Sequence, residues 1–280
     1  MFCFIDDHSR LIPYGEFFFE ESLPRLERVL KLAILRRSIP QRLYLDNGKV
    51  YVSTQLAAAQ LAAACASLGI RPIHAAPFAP TSKGKIERFF GTVRSHFLPE
   101  ADNAKLATLD ELNASFHAWV ELVYHRSVHS ETGAAPLERF QASIATTTLR
   151  TADPVVLRQA FLWRDKRTVT RTATFALQGN RYGVDPLLAG QQVEVRFDPF
   201  DLAELEIWRN GHFLAQAQVQ KLEHSRHLAL DRIPAPSQEA KPEQIDFLAA
   251  LRAEHRAQLA QELGTISFAQ VFRPHAQQGE

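Results

Sequence analysis

The sequence predicts an α/β domain followed by a small antiparallel β-barrel. In the first half, short apolar runs and amphipathic stretches follow the order strand, strand, helix, strand, helix, strand, helix. In the second half, apolar and polar residues alternate with period two. An Asn-Gly pair there separates two such runs, the strongest short-range hairpin signal.

Each element has a local reason. Residues 2–5 are apolar and close on the polar turn Asp6-Asp7-His8-Ser9-Arg10; strand character resumes over 11–19, giving a hairpin. Ser22 and Pro24 open a helix to about residue 37, with Leu26, Val29, Leu30 and Ala33 on one stripe. After Pro40, Arg42-Leu43-Tyr44-Leu45 reads as a strand, Asp46 stands at its end, and Asn47-Gly48 turns the chain. Residues 54–68 form an alanine-rich helix stopped by Gly69. "IRPIHAAPFAP" is a short strand and a Pro-rich loop. A helix over 82–97 carries Ile86, Phe89, Phe90, Val93 and Phe97 on its buried stripe. Another over 109–124 carries Leu112, Phe116, Trp119 and Val123.

After Pro136 the character changes. Val169, Ala173, Phe175 and Leu177 share one parity, as do Val193, Val195 and Phe197, and Asn210-Gly211 makes a hairpin turn. These runs predict a barrel or sandwich over about 160–220. A Pro-rich stretch, "RIPAPSQEAKPEQ", and an amphipathic helix over 245–263 follow. The expected units are 1–145, 146–222, and a linker with helix over 223–280.

Composition narrows the function classes. The 280 residues are 46% apolar and 22% charged, as in a globular protein of about two domains. Lys and Arg total 32 against 31 acids, so an argument for nucleic acid must rest on local patches. Cys3 and Cys65 lie far apart, with no CxxC pair, which indicates neither a zinc ribbon nor a disulfide framework and fits a reducing cytoplasm. The sequence has no run of membrane-spanning length and no signal-peptide pattern, so no membrane partner is expected.

Local charge singles out two stretches. In "PTSKGKIERFFGTVRSHF", Glu87 sits at the edge of the packed face, with Gly91 one turn on and Lys83, Lys85, Arg88 and Arg94 around it. A solvated face with an internal charge partner is the bland reading. Further on, Arg158, Arg164, Lys166, Arg167 and Arg171 stand against Asp165, which suits either a phosphate-tracking surface or the polar face of a half-solvated sheet. His125 and His129 have the spacing of a helical metal pair without the glutamate of an HExxH motif, and read as hydrogen-bonding core residues.

"YLDNG" with "PTSKGKIERFFGTVR" resembles the second and third acidic motifs of DDE transposases and retroviral-type integrases. The hairpin "FIDDHSRLIPYGEF" is similar to that family's second and third strands, and "YHRSVHSETGAAPLERF" to the segment that closes the core in bacterial members. "NRYGVDP" and "VEVRFDPFD" resemble the C-terminal domain of Mu-type transposases. The resemblance implies an RNase H-like core, a mixed sheet with helices, followed by the barrel. It implies Asp46 and Glu87 as catalytic acids and ligands of a two-metal Mg2+ or Mn2+ site. Lys83, Lys85, Arg88, Arg94, Arg164, Lys166, Arg167 and Arg171 become DNA contacts.

The family's first Asp lies on a strand preceding this hairpin; that strand is absent here, so an N-terminally truncated copy is expected. Asp6 and Asp7 read as turn or capping residues, with substitution for the missing Asp as the alternative. The implied activity is metal-dependent phosphodiester cleavage and strand transfer; the alternative is an inactive DNA-binding or assembly remnant. The implied partners are transposon-end and target DNA, further copies of the chain in a homo-oligomer, and an ATPase helper as an open candidate. The implied location is the bacterial cytoplasm, at the nucleoid.

Overall fold

The structure, a computed structural model, describes residues 1–45, 55–74, 84–221, 223–227 and 247–263. Strands β1 (Phe2–Cys3) and β2 (Gly15–Glu16) pair antiparallel. Their hairpin continues through Phe4 N–H to Tyr14 O at 3.0 Å and Asp6 N–H to Leu11 O at 2.8 Å. Asp6 closes the turn as a turn residue should, its carboxylate accepting from the Ser9 N–H and hydroxyl at 2.8 and 2.6 Å.

Helix α1 (Leu23–Arg36) buries the expected stripe of Leu26, Val29, Leu30 and Ala33. Strands β3 (Arg42–Leu45) and β4 (Arg71–His74) run parallel, joined through helix α2 (Gln55–Ser67). Parallel neighbours need such a crossover. Leu43 and Leu45 point into the core, while Arg42 and Tyr44 point out. Among the described residues, β1–β2 and β3–β4 form two separate two-stranded ladders.

Helix α3 (Gly84–Thr92) passes into a wide π-turn over Val93–Phe97 and then helix α4 (Leu98–Asn103). The sequence predicts plain helix through Phe97, and the core explains the difference. Phe89, Val93 and Phe97, four apart, are all buried. Four residues overshoot an α-helical turn of about 3.6, so such a row drifts around the helix. The turn closed by Leu98 N–H on Val93 O brings it back. Helix α5 (Leu109–Leu122) starts at a Thr108 cap, and Glu111 reaches back to the Ala107 N–H at 2.8 Å. Its Phe116 is fully buried against Phe17, Phe89, Phe97 and Trp119. A 3-10 turn (Tyr124–Arg126) and helices α6 (Pro136–Ile144) and α7 (Pro154–Ala160) follow, none of them expected from periodicity.

The second half is a six-stranded antiparallel sheet. Its strands are β5 (Trp163–Thr168), β6 (Thr174–Leu177), β7 (Asn180–Gly183), β8 (Gln192–Asp198), β9 (Asp201–Arg209) and β10 (His212–Lys221). The order is β5-β8-β9-β10-β7-β6, and β5 touches β6, so the sheet nearly closes into a barrel. Val193, Val195, Phe197, Leu205, Ile207, Phe175 and Tyr182 fill it. Asn210 and Gly211, at φ 50° and 81°, make the two-residue β9–β10 turn, which requires positive φ at both positions. Helix α8 (Phe247–Leu263) returns to the first half and buries Leu248 and Leu251 in the cluster around α5. Among the described residues no helix is long and apolar enough to cross a membrane.

One apolar cluster runs without a break from Leu26, Leu30 and Leu43 through Leu157 and Phe161 to Trp163 and Val195. A buried polar contact crosses the same seam: the Trp163 indole N–H donates to Glu27 at 2.6 Å. Glu27 is 4% exposed, and burial pushes its carboxyl up to about 8, opposed by the Trp163 hydrogen bond and reinforced by Asp198. The native chain therefore keeps a proton there that the unfolded chain releases, so this group lowers stability progressively as pH rises from about 4.5 to about 8. Glu27→Gln keeps an acceptor for Trp163. Its urea midpoint should gain on the wild type as pH climbs through that window; identical pH slopes would show that Glu27 ionises normally.

Candidate metal and nucleic-acid site

Glu87 lies in the first turn of α3, exposed, and makes no hydrogen bond or ion pair among the described residues. A Cβ built on Gly91, one turn further, would meet nothing within 4 Å, so the surface beside Glu87 is open. Asp46 and Lys83 fall outside the described residues. Leu45, just before Asp46, is 2% exposed and paired with His74, so the described end of β3 is held by its buried face and by its pairing with β4.

The basic residues around Glu87 are not a free patch. Lys85 Nζ is held by the Asp7 carboxylate and by Asp7 O at 3.3 Å. Arg88 donates to Glu131 at 2.8 Å. The second oxygen of Glu131 accepts from Arg10 at 3.2 Å, and the Arg10 guanidinium also donates to Asp7 O. The Arg10 hydrogen bond, with the charges of Arg10 and Arg88, holds the Glu131 carboxyl below its usual range. Arg139 donates to His8 O at 2.9 Å. The hairpin turn, the first turns of α3 and the segment after Arg126 are thus tied by alternating charges. Arg94 stands exposed in the π-turn, with no ion pair among the described residues.

A second network sits beneath. Glu121, at the end of α5, takes Arg36 at 3.1 Å and Arg37 at 2.9 and 3.0 Å. His125 is fully buried; its Nε2 accepts the Ile12 N–H at 2.9 Å, so Nδ1 carries the proton that it donates to Glu121 at 3.2 Å. His125 therefore serves as the core hydrogen-bonding residue that the sequence suggests. Burial works to raise the Glu121 carboxyl, but the His125 hydrogen bond and the two guanidinium charges outweigh it and hold the group well below the usual carboxylate range.

In the barrel, strand parity sorts the basic residues. Arg164 and Lys166 lie opposite Arg196 and Glu194, on the outer face. Arg167 lies opposite the buried Val193, on the inner parity, where Asp165 takes its guanidinium at 2.5 Å. Its Nε is buried and has no hydrogen-bond partner among the described residues. Arg171 is exposed in the turn beyond β5, beside the mutually hydrogen-bonded hydroxyls of Thr170, Thr172 and Thr174.

Sequence reasoning missed Asp7 and Glu131 as partners of Lys85 and Arg88, and nothing local signals pairs so far apart in the chain. It also missed the outward pair Trp208 and Phe213, although both flank Asn210-Gly211 symmetrically, which places them opposite each other across the hairpin. No group of three or more potential metal ligands occurs among the described residues. The donor available, an exposed and unspent carboxylate on Glu87, is the hard oxygen that Mg2+ prefers.

Residues 158–216 match the Mu transposase C-terminal family, and the match spans most of the barrel. The chain is 23% identical over 256 residues to the transposase for transposon Tn552 of Staphylococcus aureus, covering 79% of this chain and 51% of that protein. It is 26% identical over 129 residues to a protein of Geobacillus stearothermophilus described as a transposase for insertion sequence element IS5376, covering 46% of this chain and 30% of the relative. The chain thus spans about half the length of the first relative and less of the second. A chain of the simian T-cell lymphotropic virus intasome, solved in complex with PP2A regulatory subunit B56 gamma, aligns at TM-score 0.42 and 20% identity, over 82% of this chain and 72% of that one. In class, then, this is a transposase relative with a Mu-type barrel in its second half. These likenesses agree with the transposase motifs read in the sequence.

Glu121→Ala leaves two guanidinium groups and His125 without their shared acceptor, and Glu121 is only 15% exposed. Stability should fall by about 3 kcal/mol, as when one partner of a buried ion pair is removed. Chemical denaturation of both proteins would measure it, and a loss below experimental error would refute this role for Glu121.

Proposed function

We propose that this chain acts in DNA transposition through an RNase H-like core, with Asp46 and Glu87 as catalytic acids and metal ligands. The observation that carries this reading is the exposed carboxylate of Glu87, without a partner among the described residues and beside an open surface, in a chain similar to transposases. Asp46 and Glu87 would hold Mg2+ or Mn2+, which supplies activation of a water or 3′-hydroxyl and stabilisation of the leaving oxygen. Lys83, Lys85, Arg88 and Arg94 would seat phosphates near Glu87. The barrel would follow the DNA backbone through Arg164, Lys166, Arg167 and Arg171.

On this reading the catalytic unit covers about 1–145 and the barrel unit 146–222, the partners are transposon ends and target DNA, and copies of the chain assemble on DNA. An ATPase helper and a place at the nucleoid complete the proposal. A second reading, a DNA-binding and assembly protein without strand transfer, is favoured by one observation. The charges of Lys85 and Arg88 are already met by Asp7 and Glu131.

Metal binding separates the two readings. Mn2+ titrated into the protein and followed by paramagnetic resonance should bind, and Asp46→Asn or Glu87→Gln should each weaken it at least tenfold, since each removes a charged ligand. Binding that ignores both substitutions would favour the assembly protein.

The ion pairs give a further expectation. Both involve exposed groups, which exchange readily for phosphate. Freeing Lys85 and Arg88 by combining Asp7→Asn with Glu131→Gln should raise affinity for duplex DNA at low salt. The slope of log K against log salt should steepen by up to about 2, roughly one unit per added phosphate contact. Fluorescence anisotropy across a salt series reads both, and an unchanged slope would remove these two residues from the DNA surface.

A further inference from the structure

The outer face of the barrel carries a second, different kind of surface. Cross-strand register lays out two rows across β5, β8, β9 and β10. The first runs Lys166, Glu194, Trp208, Phe213; the second runs Arg164, Arg196, Glu206, Gln216. Helix α7 covers the second row at Glu206, because Arg158 and Gln159 donate to it at 3.1 and 2.9 Å and leave it only 9% exposed, while Arg164 at the row's start stays half-exposed. The first row is open. Lys166 is exposed, Phe213 is 52% exposed, and Leu214, the bulged residue beside it, is 43% exposed.

The aromatic end is rigidly built. The Trp208 indole N–H donates to Glu206 at 2.9 Å, the Arg196 guanidinium lies over the Trp208 ring at 3.7 Å from its centroid, and Arg196 Nε donates to Glu194 at 2.7 Å. Phe213 meets Trp208 edge to face at 5.8 Å. The Trp208 indole N–H and the Arg196 Nε are both hydrogen-bonded, and half of the Phe213 surface stays open to solvent. At the other end, Arg164 and Lys166 make no ion pair among the described residues. Four adjacent strands put Lys166 and Phe213 about 14 Å apart at a spacing of about 4.8 Å. A flat apolar ring at one end of a rigid row and unneutralised cations at the other complement a strand whose bases are free to stack and whose phosphates are charged. A base-paired duplex would offer the cations phosphates but the ring no base face.

We propose that this outer face, from Lys166 to Phe213, binds unpaired DNA, with a base stacked on Phe213 beside Trp208 and the backbone led toward Arg164 and Lys166. This rests on the reading of the chain as a DNA-acting protein and adds a site to it.

Trp119 and Trp163 are buried, so Trp208 is the tryptophan best placed to report binding at this face. Oligodeoxythymidylate added to the whole chain should quench tryptophan fluorescence to saturation. Phe213→Ala should weaken single-strand affinity by about 5- to 150-fold, the range expected for one lost stacking contact. Phe213→Tyr should restore it, and neither should alter duplex affinity. Arg164→Gln with Lys166→Gln should weaken both and flatten the salt slope for each. Single-strand binding indifferent to Phe213→Ala, with duplex binding intact, overturns this proposal alone. If Phe213→Ala instead abolishes self-association in sedimentation while single-strand binding stays normal, the face belongs to a second copy of the chain and the proposal falls. If the wild type binds neither single strand nor duplex, the DNA-acting reading falls with it.

Discussion

The Glu121 carboxylate is the constraint on which the arrangement of the first half depends. Four elements meet at its two oxygens: the end of α1 through Arg36 and Arg37, α5 itself, the 3-10 turn through His125, and, one bond further, the hairpin through the Ile12 N–H. The set works only with His125 neutral, because its Nε2 must accept. Burial enforces that state by disfavouring the charged ring. The negative charge of Glu121 is in turn tolerable in the interior because two guanidinium groups face it. Each member therefore fixes the ionisation of another, and the fold of the hairpin return is tied to the ends of two helices that lie far from it in sequence.

From that hub the order passes outward and weakens. His125 fixes the hairpin, the hairpin turn presents Asp7, and Asp7 holds Lys85 two residues before Glu87. On the other side Glu131 bridges Arg10 and Arg88, the residue after Glu87. The inner contacts are buried and strong; the outer ones are exposed and contribute little to stability. Glu87 is thus carried on a helix that is rigid below, through Phe89 and Phe97, and electrostatically exchangeable above. That division suits a surface which has to accept a charged ligand without rebuilding its support.

Much of this layout was legible in the sequence, and what was not has a common cause. Strand β3, the stripe of α3 and the barrel hairpin follow from nearest-neighbour patterns, periods of two or about 3.6 and an Asn-Gly turn, so local reading recovers them. The wide turn at Val93–Phe97 could have been suspected from three apolar residues spaced by four. The inward placement of Asp165 and Arg167 also follows from parity with Val169, once charge is allowed on the inner face. The contacts made by Asp7, Glu131, Glu27 and Glu121 are different. Each joins residues separated by many others in the chain, and an acid on a polar turn looks the same in sequence whether it faces solvent or a guanidinium. The short helices α6 and α7 escape for another reason: each opens with Pro after a strand-like residue and is too short to show a period.

The path of the chain has a mechanical consequence. The barrel is entered from α7, which packs beside α2, and after the 19 residues 228–246 the chain comes back to lay α8 along α5. The helices before and after the barrel segment pack on the same body, and its inner seam is continuous with that body's core. The barrel therefore does not hang from that body by chain connectivity alone: a load on its surface passes into the shared core at Leu157, Phe161 and Trp163, where the Trp163 indole also grips Glu27 of α1.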